Sequence, residues 1–214
     1  ETAACYIPAV TEDIINVFSP FKPECTHSFA IEGDKSKGVN VIATMVGSYI
    51  IISTSKLAIY VYDNFQTQIM TSDGTLICRD YKGVREAQGA AIISQEAIEQ
   101  ARMEGHAMSD GIARHRIEVL KCMEGDEYFY GLGDKYNFLN KKGYAFEMWN
   151  SDIPDPHYES MRSLYKSIPF FIVHREKVDY GIFFDNHHRT QFDLGKENTG
   201  YYSFSADDGD LNYY

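Results

Sequence analysis

Nowhere in its 214 residues does the chain carry a run of lysine or arginine. Basic residues number 20 against 31 acidic ones, giving a formal net charge of -11 at pH 7. Nucleic acids and anionic membranes are held by clustered cations. This balance argues against both as partners, while a neutral ligand is indifferent to it. No apolar stretch approaches the roughly 20 residues a membrane-spanning helix needs. The first residues, Glu1-Thr2-Ala3-Ala4, show neither an initiator Met nor the apolar core of a signal peptide, which suggests an end trimmed from a longer chain. Cysteine is scarce: Cys5, Cys25, Cys78 and Cys122 stand too far apart for a Cys-x-x-Cys metal or redox motif. They read as free thiols of a cytosolic protein, with two structural disulfides in an oxidising compartment as the alternative. Internal repeats, low-complexity tracts and an inter-domain linker are also missing, so the reading is one domain over 1–214 with no cofactor.

Aromatic residues are plentiful, with 16 Tyr and 13 Phe. Such side chains fit a pleated, half-buried surface. Short β-type runs between turn residues fill most of the chain. Ile14 to Phe18 ends at Ser19-Pro20, and Val39 to Val46 turns at Gly47-Ser48 into Tyr49 to Ser53. Leu57, Ile59 and Val61 alternate with Ala58, Tyr60 and Tyr62, the period of a strand. Gln66 to Thr71, Asp73-Gly74 and Thr75 to Arg79 form a hairpin pattern, because Asp-Gly supplies the positive φ of a tight turn. Further strands are expected at Arg116 to Met123, Tyr144 to Trp149, Ser167 to His174, Tyr180 to Asp185, Gln191 to Leu194 and Tyr201 to Ser205. Pro169 lacks a ladder donor, so its strand should begin there or lie at a sheet edge. One helix is predicted, Ser94 to Glu104, capped by Ser94 and stopped by Gly105. It falls in an excursion from the sheets over roughly Gly83 to Gly111. The sum is an all-β fold, a large antiparallel β-sandwich with a minor helix.

Between Trp149 and Tyr165 the alternation stops. Asn150-Ser151-Asp152-Ile153-Pro154-Asp155-Pro156-His157-Tyr158 is a loop shaped by two prolines, and long ordered loops are often functional. Two motifs invite other chemistry. Gly131, Gly133 and Lys135 resemble a phosphate loop only superficially, since no helix pattern follows; a tight turn is expected. His187-His188 would diverge to opposite faces if extended, which argues against a shared metal ion.

Several stretches resemble the N-terminal domain of family 31 glycoside hydrolases. Tyr130-Gly131-Leu132-Gly133-Asp134-Lys135 is similar to the family's glycine-rich turn, and Met148-Trp149-Asn150-Ser151-Asp152 to the loop entry after it. Leu164 to Phe171, Tyr180 to Asn186 and Tyr201 to Tyr214 resemble the strands that follow, in the family's order. Residues before about 125 match more loosely, through Ile52-Ser53-Thr54-Ser55-Lys56-Leu57.

The resemblance implies a galactose-mutarotase-like sandwich preceding a (β/α)8 barrel that hydrolyses α-glucosides with retention. Retention needs two carboxyl groups about 5 to 5.5 Å apart, and in this family both belong to the barrel. The nucleophile sits in a W-x-D-M type motif, whereas the only Trp here, Trp149, is followed by Asn150-Ser151-Asp152-Ile153. No catalytic residue is therefore expected in this chain, and its partner would be the barrel of the same polypeptide. By resemblance, Asp152 reaches over the barrel mouth to sugar hydroxyls, which donate in pairs to a carboxylate. Trp149 or Tyr158 offers a ring to stack on a sugar face, and His157 a donor. Two other readings stand beside this one. One is a free-standing carbohydrate-binding module. The other is a complete mutarotase or epimerase, which would need its own His and carboxylate on a concave sheet face.

Overall fold

The computed structural model describes residues 5–20, 28, 30–31, 38–87, 116–152, 154, 156–158, 161 and 163–214. Among them every regular element is a strand: β1 (Ala9–Thr11), β2 (Ile14–Ile15), β3 (Val17–Ser19), β4 (Ile42–Val46), β5 (Tyr49–Ser53), β6 (Leu57–Tyr62), β7 (Thr67–Thr71), β8 (Leu76–Ala87), β9 (Arg116–Cys122), β10 (Tyr128–Gly131), β11 (Ala145–Met148), β12 (Phe170–His174), β13 (Asp179–Phe183), β14 (Thr190–Asp193), β15 (Tyr201–Ala206) and β16 (Leu211–Tyr213). The expected helix Ser94 to Glu104 and Cys25 lie outside the described residues.

Nine strands form one antiparallel sheet in the order β11-β14-β15-β9-β8-β7-β6-β5-β4. β8 joins its two halves, pairing with β7 near Cys78 and Arg79 and with β9 from Asp80 onward. Register shifts interrupt both ladders, as bulges do when a strand bends between partners. A three-stranded sheet, β10-β12-β13, forms the facing layer, and β16 pairs with β3. Alternation does what a two-residue period dictates. In β12, Phe171 and Val173 are fully buried while Phe170, Ile172 and His174 face out.

The core lies between these layers. Phe129 and Phe171 of the small sheet meet Phe192, Tyr202 and Phe204 of the large one, all with no solvent exposure. Phe129 meets Tyr202 edge-on at 5.2 Å, and Phe171 meets Phe192 and Tyr202 at 5.9 and 6.0 Å in T-shaped pairs. Such pairs add about 0.5 to 1.5 kcal/mol beyond area burial. Arg175, just after β12, also links the layers. It donates to the Leu76 and Ile77 carbonyls at 3.2 and 3.3 Å and pairs with Asp126 at 2.9 Å.

Several expectations shift. The first strand after residue 38 starts at Ile42 rather than Val39, and that edge strand is exposed throughout, with Met45 76% and Ile42 61% accessible. The strand begun at Leu76 runs on to Ala87, so the start of the expected excursion is sheet, drawn in by pairing with β9. Tyr128–Gly131 is a strand that the glycine-rich turn concealed. Pro169 directly precedes β12, which begins at Phe170 and sits centrally in its sheet, so the proline marks a start and not an edge.

That turn is tightly constrained. Gly131, Leu132 and Gly133 all have positive φ, at 116°, 63° and 69°. Leu132 is fully buried and its N–H donates to the Phe170 carbonyl at 2.8 Å. A Cβ on Gly131 would lie 2.8 Å from that same oxygen. Gly131→Ala is expected to destabilise the domain by about 1 to 3 kcal/mol, the usual magnitude of such backbone strain plus a contact that must relax. Gly125→Ala, also at positive φ but with open space around it, should lose less. Chemical denaturation of both variants checks this, and equal losses would remove the Phe170 contact from the explanation.

Candidate functional site

β11 ends at Met148, paired with Thr190 of β14, and so delivers Trp149 and Asn150 to the end of the large sheet. Phe184, bridged to Tyr213, brings the segment after β13 to the same end. Between them lies a cleft of about 500 Å³ bordered by Trp149, Asn150, Ser167, Phe184, Asn186 and His187. Its floor is held by polar bonds internal to the domain. Asn186 Nδ2 donates to the Asp208 and Asp210 carbonyls at 2.9 and 3.2 Å, and its Oδ1 accepts from the His188 N–H at 2.8 Å. Asn212 donates to Asp185 at 3.0 Å and accepts from Asn16 at 2.7 Å. Groups so engaged act as a rigid frame more than as ligand contacts.

The loop that leaves this cleft is tied at its base. The Ser151 N–H donates to the Leu164 carbonyl at 3.0 Å, Ser167 Oγ donates to Asn150 Oδ1 at 2.6 Å, and Ser163 Oγ donates to the Trp149 carbonyl. Asp152 is exposed beyond these ties. Trp149 is 55% and Tyr158 58% accessible. His157 is half-buried, its ring 5.5 Å from that of Tyr165. Of the four residues singled out in the sequence, only Trp149 borders the cleft; Asp152, His157 and Tyr158 share its loop without being gathered around it.

His187 and His188 do not diverge. The chain has left the extended conformation after Phe184, so strand alternation no longer applies, and the two rings stack 4.7 Å apart. Among the described residues no group of three or more His, Cys, Asp or Glu is arranged to hold a metal.

A second cavity, of about 750 Å³, opens between the layers and is bordered by Cys78, Lys121, Tyr180 and Tyr213 among mainly apolar neighbours. Lys121 Nζ lies 2.6 Å from Asp80 Oδ1, with 1% and 3% of the side chains accessible. That contact is an ion pair. Asp80 Oδ2 instead accepts from the Thr67 N–H and hydroxyl at 2.6 and 2.7 Å, and Lys121 donates to the Tyr213 hydroxyl at 3.1 Å. Burial pulls the Lys121 pKa down, but Asp80, with Tyr213 and Cys78, more than offsets this and holds it well above the ordinary lysine value. Burial pushes the Tyr180, Tyr202 and Tyr213 hydroxyls well above the usual phenol range. Cys5, Cys78 and Cys122 are free thiols, raised chiefly by burial. No histidine stands among the described residues bordering this cavity, so it offers no His–carboxylate pair of the kind a mutarotase needs.

A family model described as the glycosyl hydrolase 31 N-terminal galactose mutarotase-like domain matches residues 5–193. The chain belongs to that family. Alpha-glucosidase 2 of Bacillus thermoamyloliquefaciens is 43% identical over 94 residues, 44% of this chain and 12% of the relative. Alpha-xylosidase XylQ of Lactiplantibacillus pentosus is 30% identical over 135 residues, 63% of this chain and 16% of its own. Among solved structures, the Flavobacterium johnsoniae GH31 dextranase complexed with glucose superimposes with a TM-score of 0.73 at 28% identity. That match covers all of this chain and 25% of the dextranase. This glycosyl hydrolase 31 domain thus spans 12–16% of these curated relatives.

The site features that sequence reading missed are the ties. Lys135, read as part of a turn, and Lys141, not singled out in the sequence, are buried. Lys141 donates to the Lys135 carbonyl at 3.3 Å. Burial lowers the pKa of both ammonium groups. Two lysines beside a double-glycine turn were the available signal, but nothing in composition says that a lysine will turn inward.

Proposed function

We propose that this glycosyl hydrolase 31 domain serves a retaining α-glucosidase. It packs on a catalytic (β/α)8 barrel of the same polypeptide and lends the Trp149 to Tyr165 loop to the substrate site. The observation that carries this reading is the loop itself. Its base is tied between two sheets while Asp152 and the Trp149 ring remain open to solvent. A loop tied at its base, with an exposed carboxylate and an exposed indole, is equipped to meet a sugar, through paired hydroxyl donors and through a flat apolar face. The choice of an α-glucoside follows the 43% identity to an alpha-glucosidase; the alpha-xylosidase and dextranase likenesses make related α-glycosides the nearest alternatives.

The surface for the barrel is read on the small sheet. Tyr128, Phe170 and Ile172 are 40–48% accessible on its outer face, with Ile168 beside them. Inter-domain contacts commonly cover on the order of 600 to 1,500 Å². Tyr202 and Phe204 are fully buried and take no part in it. They point into the core from a strand flanked on both sides, so β10 and β12 supply the face. A cytoplasmic setting remains part of the proposal and is supported by the free thiols. No helix among the described residues is long and apolar enough to cross a membrane.

The test is Asp152→Ala in the full enzyme. A charged hydrogen bond to substrate contributes roughly 1.5 to 3 kcal/mol, so kcat/KM on a small α-glucoside should fall about ten- to a hundredfold. Asp152 is exposed, so the thermal melt should hardly move. Unchanged kcat/KM with an unchanged melt would return Asp152 to the status of a turn residue and remove the loop's assigned role.

A further inference from the structure

Lys135 is a lysine with 9% of its surface accessible, two residues beyond the Gly131-Leu132-Gly133 turn. Its Nζ donates to the Glu147 carbonyl at 3.0 Å and to the Lys166 carbonyl at 3.2 Å. Those two residues bracket the Trp149 to Tyr165 loop. Glu147 lies two positions before Trp149, and Lys166 immediately follows Tyr165. β11 is the terminal strand of the large sheet, so a carbonyl on its outer side has no neighbouring strand to donate to it, and the ammonium group fills that role.

The arrangement is itself held in place. Lys141 Nζ donates to the Lys135 carbonyl at 3.3 Å. The neighbouring Asp134 carboxylate meets Lys166 Nζ at 2.6 Å. That second contact is exposed on both sides, and an exposed ion pair contributes little. The bonds to the two carbonyls are different. They are charge-assisted and part-buried, and removing the donor would leave two backbone acceptors without it.

We propose that Lys135 is a positioning residue for substrate recognition, an ammonium clip that fixes the two ends of the Trp149 to Tyr165 loop against each other and so sets where Asp152 and Trp149 stand. This rests on the substrate role given to that loop above, but the clip can be judged apart from it. Lys135 touches no substrate and acts through the loop. A misplacement of a binding group by about 1 Å can lower catalysis as much as a hundredfold, so the clip matters even though it lies outside the site.

The experiment uses the full enzyme with Lys135→Met, which keeps the length of the side chain and removes its donors, and Lys135→Arg, which keeps charge and donors. Lys135→Gln replaces the methionine variant if that one fails to fold, since its amide is too short to span both carbonyls. Two quantities are read: hydrogen exchange at the Ser151 amide, which bonds the Leu164 carbonyl across the loop base, and kcat/KM on a small α-glucoside.

Lys135→Met is expected to speed exchange at Ser151 at least about tenfold and to lower kcat/KM by about ten- to a hundredfold, mainly through KM, with Lys135→Arg recovering most of both. Combined with Asp152→Ala, it should lower kcat/KM by much less than it does alone, since the Asp152 contact is already gone and only the placement of Trp149 is left to lose. Unchanged exchange at Ser151 would overturn the clip. Equal losses in the presence and absence of Asp152 would overturn positioning and reduce Lys135 to general support of the fold. If Asp152→Ala alone leaves kcat/KM untouched, the loop's substrate role falls while the exchange result still decides whether the clip exists.

Discussion

Lys121→Met is expected to destabilise the domain by about 3 to 5 kcal/mol, the usual loss when one member of a buried ion pair is removed and the other charge is stranded. Asp80 would keep its two bonds from Thr67, but its Oδ1, 2.6 Å from Lys121 Nζ and 3% accessible at the side chain, would face an apolar cavity wall. For a chain of this size the melting temperature should drop roughly 6 to 20 °C. The mechanism is separable from simple loss of packing, because methionine fills much of the lysine stem's volume. Adding Asp80→Asn to Lys121→Met removes the stranded charge and keeps an oxygen for Thr67, so the double variant should regain most of the loss. A double variant no more stable than Lys121→Met would show that the pair's electrostatics are not what holds this part of the core.

The same region sets the behaviour at high pH. Tyr202 and Tyr213 are buried with raised pKa values, chiefly because burial disfavours the phenolate. Lys121 is raised too: burial is the largest single effect and lowers it, but Asp80, Tyr213 and Cys78 together outweigh that. The sign follows directly. A group whose folded pKa lies above its unfolded value keeps its proton in the native state while the unfolded chain gives it up. Its contribution is fully present below the unfolded pKa, about 10 for both residue types, and is lost as pH climbs above it. Each such group, Tyr180 included, lowers stability in that window by up to about 1.4 kcal/mol per pH unit. The domain is therefore expected to begin losing stability near pH 9, where the thiols raised by burial, Cys78 above all, ionise in the unfolded chain, and to unfold cooperatively above about pH 10. Denaturant midpoints from pH 8 to 12, read beside phenolate absorbance, check this. Phenolate absorbance should show a step coincident with unfolding, as the buried Tyr202 and Tyr213 hydroxyls are released to solvent. Full ionisation of all 16 tyrosines with the fold intact would refute it.

The strands that could be read in the sequence are those whose own side chains carry the pattern. Leu57–Tyr62 alternates and is buried at Leu57 and Ile59 as its period requires. The hairpin at Asp73-Gly74 forms with Gly74 at φ 90°. The loop after Trp149 was legible from its prolines and polar turn formers. What failed were features settled by distant partners. Tyr128–Gly131 becomes a strand because β12 pairs along all of it, while its own glycines read as a turn. Ile42–Val46 is apolar in sequence yet exposed, since it closes the sheet with no layer over it among the described residues. His187 and His188 stack because the chain turns there. The ties that give the candidate site its shape are bonds from lysine and serine side chains to backbone carbonyls, and every residue has a carbonyl. Sequence therefore shows the loop and not its anchorage.

The pairing of β3 with β16 has a consequence for how the chain is made. Val17 is aligned with Tyr213 and Ser19 with Leu211, and Asn16 bonds to Tyr213 across 197 positions. A ribosome releases the chain from its N-terminus, so Val17–Ser19 emerges nearly two hundred residues before its strand partner exists. The hairpins from β4 to β7 can zip as soon as each is synthesised, because their partners are adjacent. The sandwich itself cannot close until its last residues are free. During that interval the apolar residues of β3 stand without their lasting strand partner, whereas β1 and β2 already have each other, and such an exposed intermediate is the kind on which chaperones act. Topology thus imposes a schedule on biosynthesis: an early, local half and a late closure that waits for the final strand.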